Sequence, residues 1–215
     1  KIKGALPDVE KEQPTYVNEL EQDTIMASVY NPEERRKYSS TFWGKLNSDL
    51  FYTPVKAPVL HLDEFNGGLK PIKRSGNFQT MSLRLKDANG KLWSLRPLKK
   101  TPNRALPQGL NLDITKSVQE HYFTSDNPYG AFTLAPMLSA IGVYHTNPQL
   151  YYVPQQMALG KYNEDYANKL YLLEERPDEN WEEEATLGFS ENIVGFRKMF
   201  KELREDKDAI IDQEM

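Results

Sequence analysis

Two short runs of alternating apolar and polar residues, separated by a turn signal, restrict the fold of this chain more than any other feature. In residues 81–86 every second side chain is apolar, which is the period of a half-buried strand. Asn89-Gly90 then predicts a two-residue hairpin turn. The return run, residues 91–97, places Trp93 and Leu95 on one face and Arg96 on the other. We therefore predict an antiparallel β-hairpin with one buried face.

This hairpin lies in the most basic part of the chain. Residues 69–104 contain ten Lys and Arg and one acid, Asp87, so their net charge is +9, whereas the whole chain has a formal net charge of −4. Such a surface faces an anion such as phosphate or lipopolysaccharide, or is solvated, or pairs with residues 174–191, which contain eight acids and one Arg. The sequence leaves these three alternatives open.

Composition excludes several classes of protein and of site. The chain has 215 residues and no cysteine, which rules out disulfides, thiolate nucleophiles and cysteine-based zinc sites. A pI of 5.5 argues against general nucleic-acid binding. No apolar run approaches the roughly 18 residues of a membrane-spanning helix, and no signal peptide is recognisable at the N-terminus. A cysteine-free composition fits the periplasm and the cytoplasm equally well.

Weaker patterns predict the elements around the hairpin. Helical signals cover residues 16–30, 32–42, 114–123, 128–142 and 191–203. Pro136 should kink or break the fourth of these helices, and Ser190 should cap the fifth. Further strand signals cover residues 59–62, 149–154 and 168–175.

The order of these elements indicates an α+β fold with a mainly antiparallel sheet and flanking helices. We expect an extended N-terminal arm at residues 1–50, an α+β lobe at residues 51–178, and an acidic joint with an amphipathic helix at residues 179–215. Because the chain begins at Lys and stops without a polar tail, we also expect it to be a portion of a longer protein.

No residue pattern typical of a catalytic or metal site is present. The three histidines, His61, His121 and His145, do not pair at the spacing of metal ligands, and we expect packed or surface side chains there. The chain contains no G-x-S-x-G, H-E-x-x-H or P-loop motif. We therefore nominate no catalytic residue and no metal ligand.

The basic hairpin is the candidate binding site. A loop whose backbone N–H groups cover a phosphate, followed by a strand that carries a cation, offsets phosphate charge. The loop that would cover the phosphate consists of Arg74, Ser75, Gly76 and Asn77. The cation would be Arg96 with Lys100 or Lys99, and Glu120 would hold it by a salt bridge. Solvated lysines and arginines on a sheet face are the ordinary alternative.

Several stretches taken together resemble a known family. In chain order they are GGLKPIKRSGNFQTMSLRLKDANGKLWSLRPLKK, NPYGAF, GVYHTNPQLYYVP and LYLLEERP. With them, residues 42–215 resemble a region of large Bacteroidota cell-envelope proteins that carry a calcineurin-type metallophosphoesterase domain and, in some cases, an outer-membrane barrel. That region is in turn similar to the small lobe of atypical kinase-like folds, such as the HipA-type toxin kinases and the spore-coat kinases. The resemblance implies a kinase-like small lobe with Glu174 and Glu175 at its hinge.

The chain departs from a working kinase in two respects. The loop RSGN has fewer glycines than the loops of that family, and no Asp-Arg-His, H-R-D or D-F-G segment supplies a catalytic base and magnesium ligands. We therefore do not expect the chain by itself to be an active kinase, although ATP with magnesium is the ligand that the resemblance implies. A complete enzyme with an unrecognised site is a further alternative.

Two functions follow as expectations. The first is a non-catalytic portion of a larger cell-envelope protein, a kinase-like small lobe used for docking or for binding a nucleotide or phosphate. The alternative is an accessory or interaction subunit of an outer-membrane-associated assembly that binds another envelope protein and no nucleotide. Both place the chain in the periplasm or at the outer membrane, without a transmembrane segment of its own and without a nucleic-acid partner.

Overall fold

A computed structural model describes residues 22–31, 48–76, 81–100, 122–124, 126–177, 181–191 and 193–206. Within these ranges seven strands form two antiparallel sheets and are accompanied by four α-helices, which confirms the α+β class. The strands are β1 (Thr24–Ala27), β2 (Val55–Pro58), β3 (Lys70–Ser75), β4 (Ser82–Lys86), β5 (Leu92–Pro97), β6 (Gln149–Val153) and β7 (Lys169–Glu175). The helices are α1 (Ser48–Tyr52), α2 (Gly130–Ala140), α3 (Asn163–Tyr166) and α4 (Phe196–Glu205).

The larger sheet has five strands in the order β3-β4-β5-β7-β6. Each strand is antiparallel to its neighbours. The chain forms β3, β4 and β5 in succession, continues through α2 to β6 at the far edge, and returns as β7 in the middle. The strands predicted at residues 149–154 and 168–175 are therefore confirmed.

The predicted hairpin is formed by β4 and β5, with Leu83 opposite Leu95 and Leu85 opposite Trp93. Its turn is one residue longer than predicted. The Asp87 N–H donates to the Lys91 carbonyl at 3.1 Å, which leaves a three-residue loop that ends at Gly90 with φ of 88°. The Asp87 carboxylate favours this loop because it accepts the Lys91 N–H at 2.9 Å.

The two faces of the larger sheet differ. The inner face carries leucines of β4, β5 and β7 that are almost completely buried, namely Leu83, Leu85, Leu95 and Leu173. Side chains from residues 60–69 and 153–166 pack on them and complete the main core. The outer face carries the intervening residues, because side chains alternate along each strand. Near β7 it is covered by a second cluster, which includes Phe51 of α1 and Ala57 of β2.

The smaller sheet pairs β1 with β2. The helix predicted over residues 16–30 is therefore wrong in its described part, where β-branched Thr24 and Ile25 begin a strand. The strand predicted at residues 59–62 is displaced, since β2 ends at Pro58 and Val59 makes a single bridge to Tyr152. The helix predicted over residues 32–42, and most of the one over residues 114–123, lie outside the described residues.

The last two predicted helices are present with altered bounds. Helix α2 continues across Pro136 to Ala140, and Gly142 follows with φ of 74°. Helix α4 begins at Phe196 rather than after Ser190, because the Ser190 hydroxyl donates to the Leu187 carbonyl at 2.8 Å instead of capping a helix. No helix in the described ranges is long and apolar enough to span a bilayer.

Candidate functional site

Three of the predicted binding residues lie together. Arg96 is on β5, Glu174 is on the neighbouring strand β7, and Lys100 follows β5 by three residues. All three line one cavity of about 370 Å³, whose floor includes Phe51 and Leu172. Of the five other residues predicted for this site, Asn77 and Glu120 lie outside the described residues.

Arg96 and Glu174 form an ion pair across the two strands. The Glu174 side chain is only 10% exposed, whereas that of Arg96 is 59% exposed. Burial raises the pKa of Glu174 above its ordinary value, and the charge of Arg96 partly offsets this effect. The cation that was predicted to meet phosphate is thus held, in this structure, by a buried carboxylate of the same sheet.

Lys100 lies on the other side of the cavity. Its Nζ is 3.4 Å from Oδ2 of Asp126, and it lies 5.7 Å from the centre of the Phe123 ring. The Tyr30 hydroxyl donates to the Lys100 carbonyl at 3.2 Å, which links this segment to the smaller sheet. The cavity therefore contains two cations and two carboxylates, and an anionic ligand has to compete with the carboxylates for the cations.

The predicted phosphate-covering loop does not join this cavity. Arg74 points to the inner face and pairs with Asp165. The Ser75 hydroxyl accepts a hydrogen bond from Nε of Arg84 at 3.3 Å. Gly76 has φ of 94°, so it does provide the left-handed backbone of a turn. Because β4 separates β3 from β5, the strands that carry Ser75 and Arg96 are about 10 Å apart.

Glu175, the second residue of the predicted hinge, is buried on the inner face. Its Oε2 accepts the Asn147 N–H at 2.7 Å. Burial raises its pKa above the ordinary value, and that hydrogen bond opposes the shift. The first two carboxylates of the acidic run thus belong to β7, within the strand predicted over residues 168–175.

The sequence interpretation missed an apolar surface on α2. No residue from Gly130 to Ile141 is charged, yet Ala135 is the one buried residue of the helix. Large apolar side chains are exposed along its length and just beyond it, namely Phe132, Leu134, Met137 and Ile141. Beside α2 lies an apolar groove of about 590 Å³ that is lined by β2, β6 and the first turn of the helix. The absence of charge over these residues is visible in the sequence and could have indicated an apolar surface.

A Ser–His contact lies at the end of α2. His145 accepts or donates one hydrogen bond with Ser139 Oγ, 2.7 Å from its Nε2, and its Nδ1 is 2.7 Å from the Thr146 carbonyl. This Ser–His contact joins the end of α2 to the following loop. Among the described residues, no group of three or more His, Asp or Glu side chains could hold a metal ion.

Comparisons with known proteins add no identification. No protein-family model matches the chain, no curated protein is significantly similar to it, and no solved structure matches it.

Proposed function

We propose that the chain is a non-catalytic lobe of a larger cell-envelope protein and that it docks against the rest of that protein through α2. The single observation that carries this proposal is a helix without charge whose large apolar side chains face solvent. A helix that is apolar on all sides is normally buried. Each large apolar side chain that stays exposed forgoes roughly 1.5–3 kcal/mol of burial free energy.

The docking surface consists of Leu134, Met137 and Ile141, which are 50%, 62% and 72% exposed. Three such side chains on one side of a short helix form the kind of contiguous apolar patch that marks an interaction site. The order of elements supports the likeness to a kinase small lobe: β3, a loop, β4, β5, α2, β6, β7 and then the acidic segment. The resemblance then implies a hinge at Glu174 and Glu175, at the end of β7.

A photo-cross-linking experiment in the source cells tests the docking proposal. A photoreactive residue at position 137 should form a cross-link within one polypeptide, between this lobe and a segment outside the 215 residues. The same residue at position 161, where Lys161 is exposed in a short 3₁₀ helix (Met157–Tyr162), should form none. A cross-link to a separate envelope polypeptide would favour the accessory-subunit function instead. Equal yields at both positions would rule out α2 as a specific docking surface.

The second candidate function is binding of a phosphate-bearing ligand such as ATP with magnesium. It is favoured by the convergence of Arg96, Lys100 and Glu174 on one cavity of about 370 Å³, a size within the range of small-ligand sites. A ligand that binds the folded state alone raises the melting temperature. We expect ATP with magnesium to raise it and Arg96→Ala to abolish the shift, with Arg74→Ala as the matched control. Absence of a shift at millimolar ATP would exclude this candidate.

A further inference from the structure

Four cations form a continuous surface on the outer face of the β3–β4 hairpin. We call this surface the cationic face, and it consists of Lys70, Lys73, Arg84 and Lys86. Lys70 is directly opposite Lys86, and Lys73 is directly opposite Arg84. The three lysines are exposed and Arg84 is half-buried. The sequence showed the excess of positive charge, and the register shows which cations share one face.

Directly opposed like charges on neighbouring strands destabilise a sheet. Lys70 and Lys73 reach the same face, although they are three residues apart, because the register of β3 shifts between Pro71 and Lys73. None of the four cations makes an ion pair with a residue in the described ranges. Strands β3 and β4 therefore keep two pairs of opposed cations, Lys70 with Lys86 and Lys73 with Arg84, on one face.

The geometry of the cationic face limits the kind of anion that fits it. Neighbouring strands are about 4.8 Å apart, and the alternate residues Arg84 and Lys86 are about 7 Å apart along β4, so the charges spread over the sheet surface rather than converge on a pocket. Among the described residues, the other outer-face positions of β3 and β4 are Ser75 and Ser82, so this part of the face lacks the aromatic stacking platform used for single-stranded nucleic acids. It also lacks the aromatic anchors that dominate protein–protein interfaces.

We propose that the cationic face binds the phosphate headgroups of an anionic lipid bilayer. A bilayer presents many phosphates in a plane, which matches cations that are spread over one face of a sheet. The chain as a whole has a net charge of −4, but charges farther than a Debye length of about 8 Å from the membrane are screened at physiological salt. Arg96 lies on the same outer face, diagonal to Arg84 across β4 and β5, but the proposal depends neither on the Arg96 cavity nor on the α2 docking surface.

Vesicle co-sedimentation of the whole chain tests the proposal. We expect binding to vesicles of phosphatidylcholine mixed with phosphatidylglycerol, weak binding to phosphatidylcholine alone, and loss of binding as salt is raised. Each cation near an anionic membrane contributes about fivefold in partitioning. Lys73→Gln with Arg84→Gln should therefore lower the partition coefficient about 25-fold.

The matched control is Lys161→Gln with Lys198→Gln, which removes the same charge from two exposed positions elsewhere. It should stay within about twofold of the unchanged chain, since neither lysine lies on the cationic face. A second pair of substitutions, Lys70→Gln with Lys86→Gln, repeats the test should the first variant fold poorly. Equal losses in control and test variants, or binding to duplex DNA without binding to the anionic vesicles, would overturn the proposal.

Discussion

Strand β7 and helix α2 are both rich in large apolar residues, but the fold treats them in opposite ways. Six of the seven residues of β7 are buried, including two glutamates. Helix α2 has eleven residues, no charge, and one buried residue, Ala135. The lobe thus covers its central strand so completely that carboxylates enter the interior, while it leaves an apolar helix in water. We infer that β7 serves the stability of the lobe and α2 serves an interaction.

The largest expected effect contrasts these two elements directly. Leu173 of β7 is 1% exposed and packs in the main core, so Leu173→Ala should destabilise the chain by about 2–5 kcal/mol. Met137 of α2 is 62% exposed, and Met137→Ala should stay within about 0.5 kcal/mol. Urea unfolding of both variants measures the free energies. Comparable losses of unfolding free energy in the two variants would mean that α2 packs within the lobe, as β7 does.

A smaller effect concerns the carboxylate at the end of β7. Arg96→Gln leaves Glu174 buried without its cation and should cost about 1–2 kcal/mol at neutral pH, since Arg96 is more than half exposed. Burial already raises the pKa of Glu174, so its contribution to stability is fully present below the ordinary pKa of glutamic acid. That contribution is lost as pH rises through the higher pKa of the folded state.

The raised pKa of Glu174 also sets how the stability of Arg96→Gln should depend on pH. Without Arg96 the pKa of Glu174 rises further, so Arg96→Gln should lose more stability near pH 7 than near pH 4. Urea unfolding at both pH values, with Arg74→Gln as a control for loss of an arginine, measures the difference. A cost that is the same at both pH values would show that Glu174 is not the group left uncompensated.

The elements that the sequence predicted well are those whose side chains alternate between core and solvent. Leu83, Leu85 and Trp93 marked the buried face of the hairpin, and the structure pairs them as expected. Local patterns predicted turn lengths and helix starts less well, because a single side-chain hydrogen bond decides them. The Asp87 carboxylate lengthens the turn by one residue, and the Ser190 hydroxyl bonds to a preceding carbonyl.

The candidate site was only partly accessible from sequence because it depends on strand order. Arg96 and Glu174 are separated by 77 intervening residues in sequence and meet because β7 inserts beside β5. The predicted loop fails to meet them because β4 separates β3 from β5. Charge counting found the excess of positive charge, but the register was needed to separate Arg74 on the inner face from the four residues of the cationic face on the outer face.

The smallest expected effect concerns charge repulsion between β3 and β4 and its relation to vesicle binding. Lys86→Glu replaces a like-charge pair with Lys70 by an opposite-charge pair, so it should stabilise the chain by about 0.2–1 kcal/mol. Lys161→Glu, which has no cross-strand cation opposite it, should give no such gain, and urea unfolding measures both. A loss of stability in Lys86→Glu would show that the paired lysines do not repel. A gain in stability together with weaker vesicle binding would mean that the hairpin retains an unfavourable pair because its charge acts outside the fold.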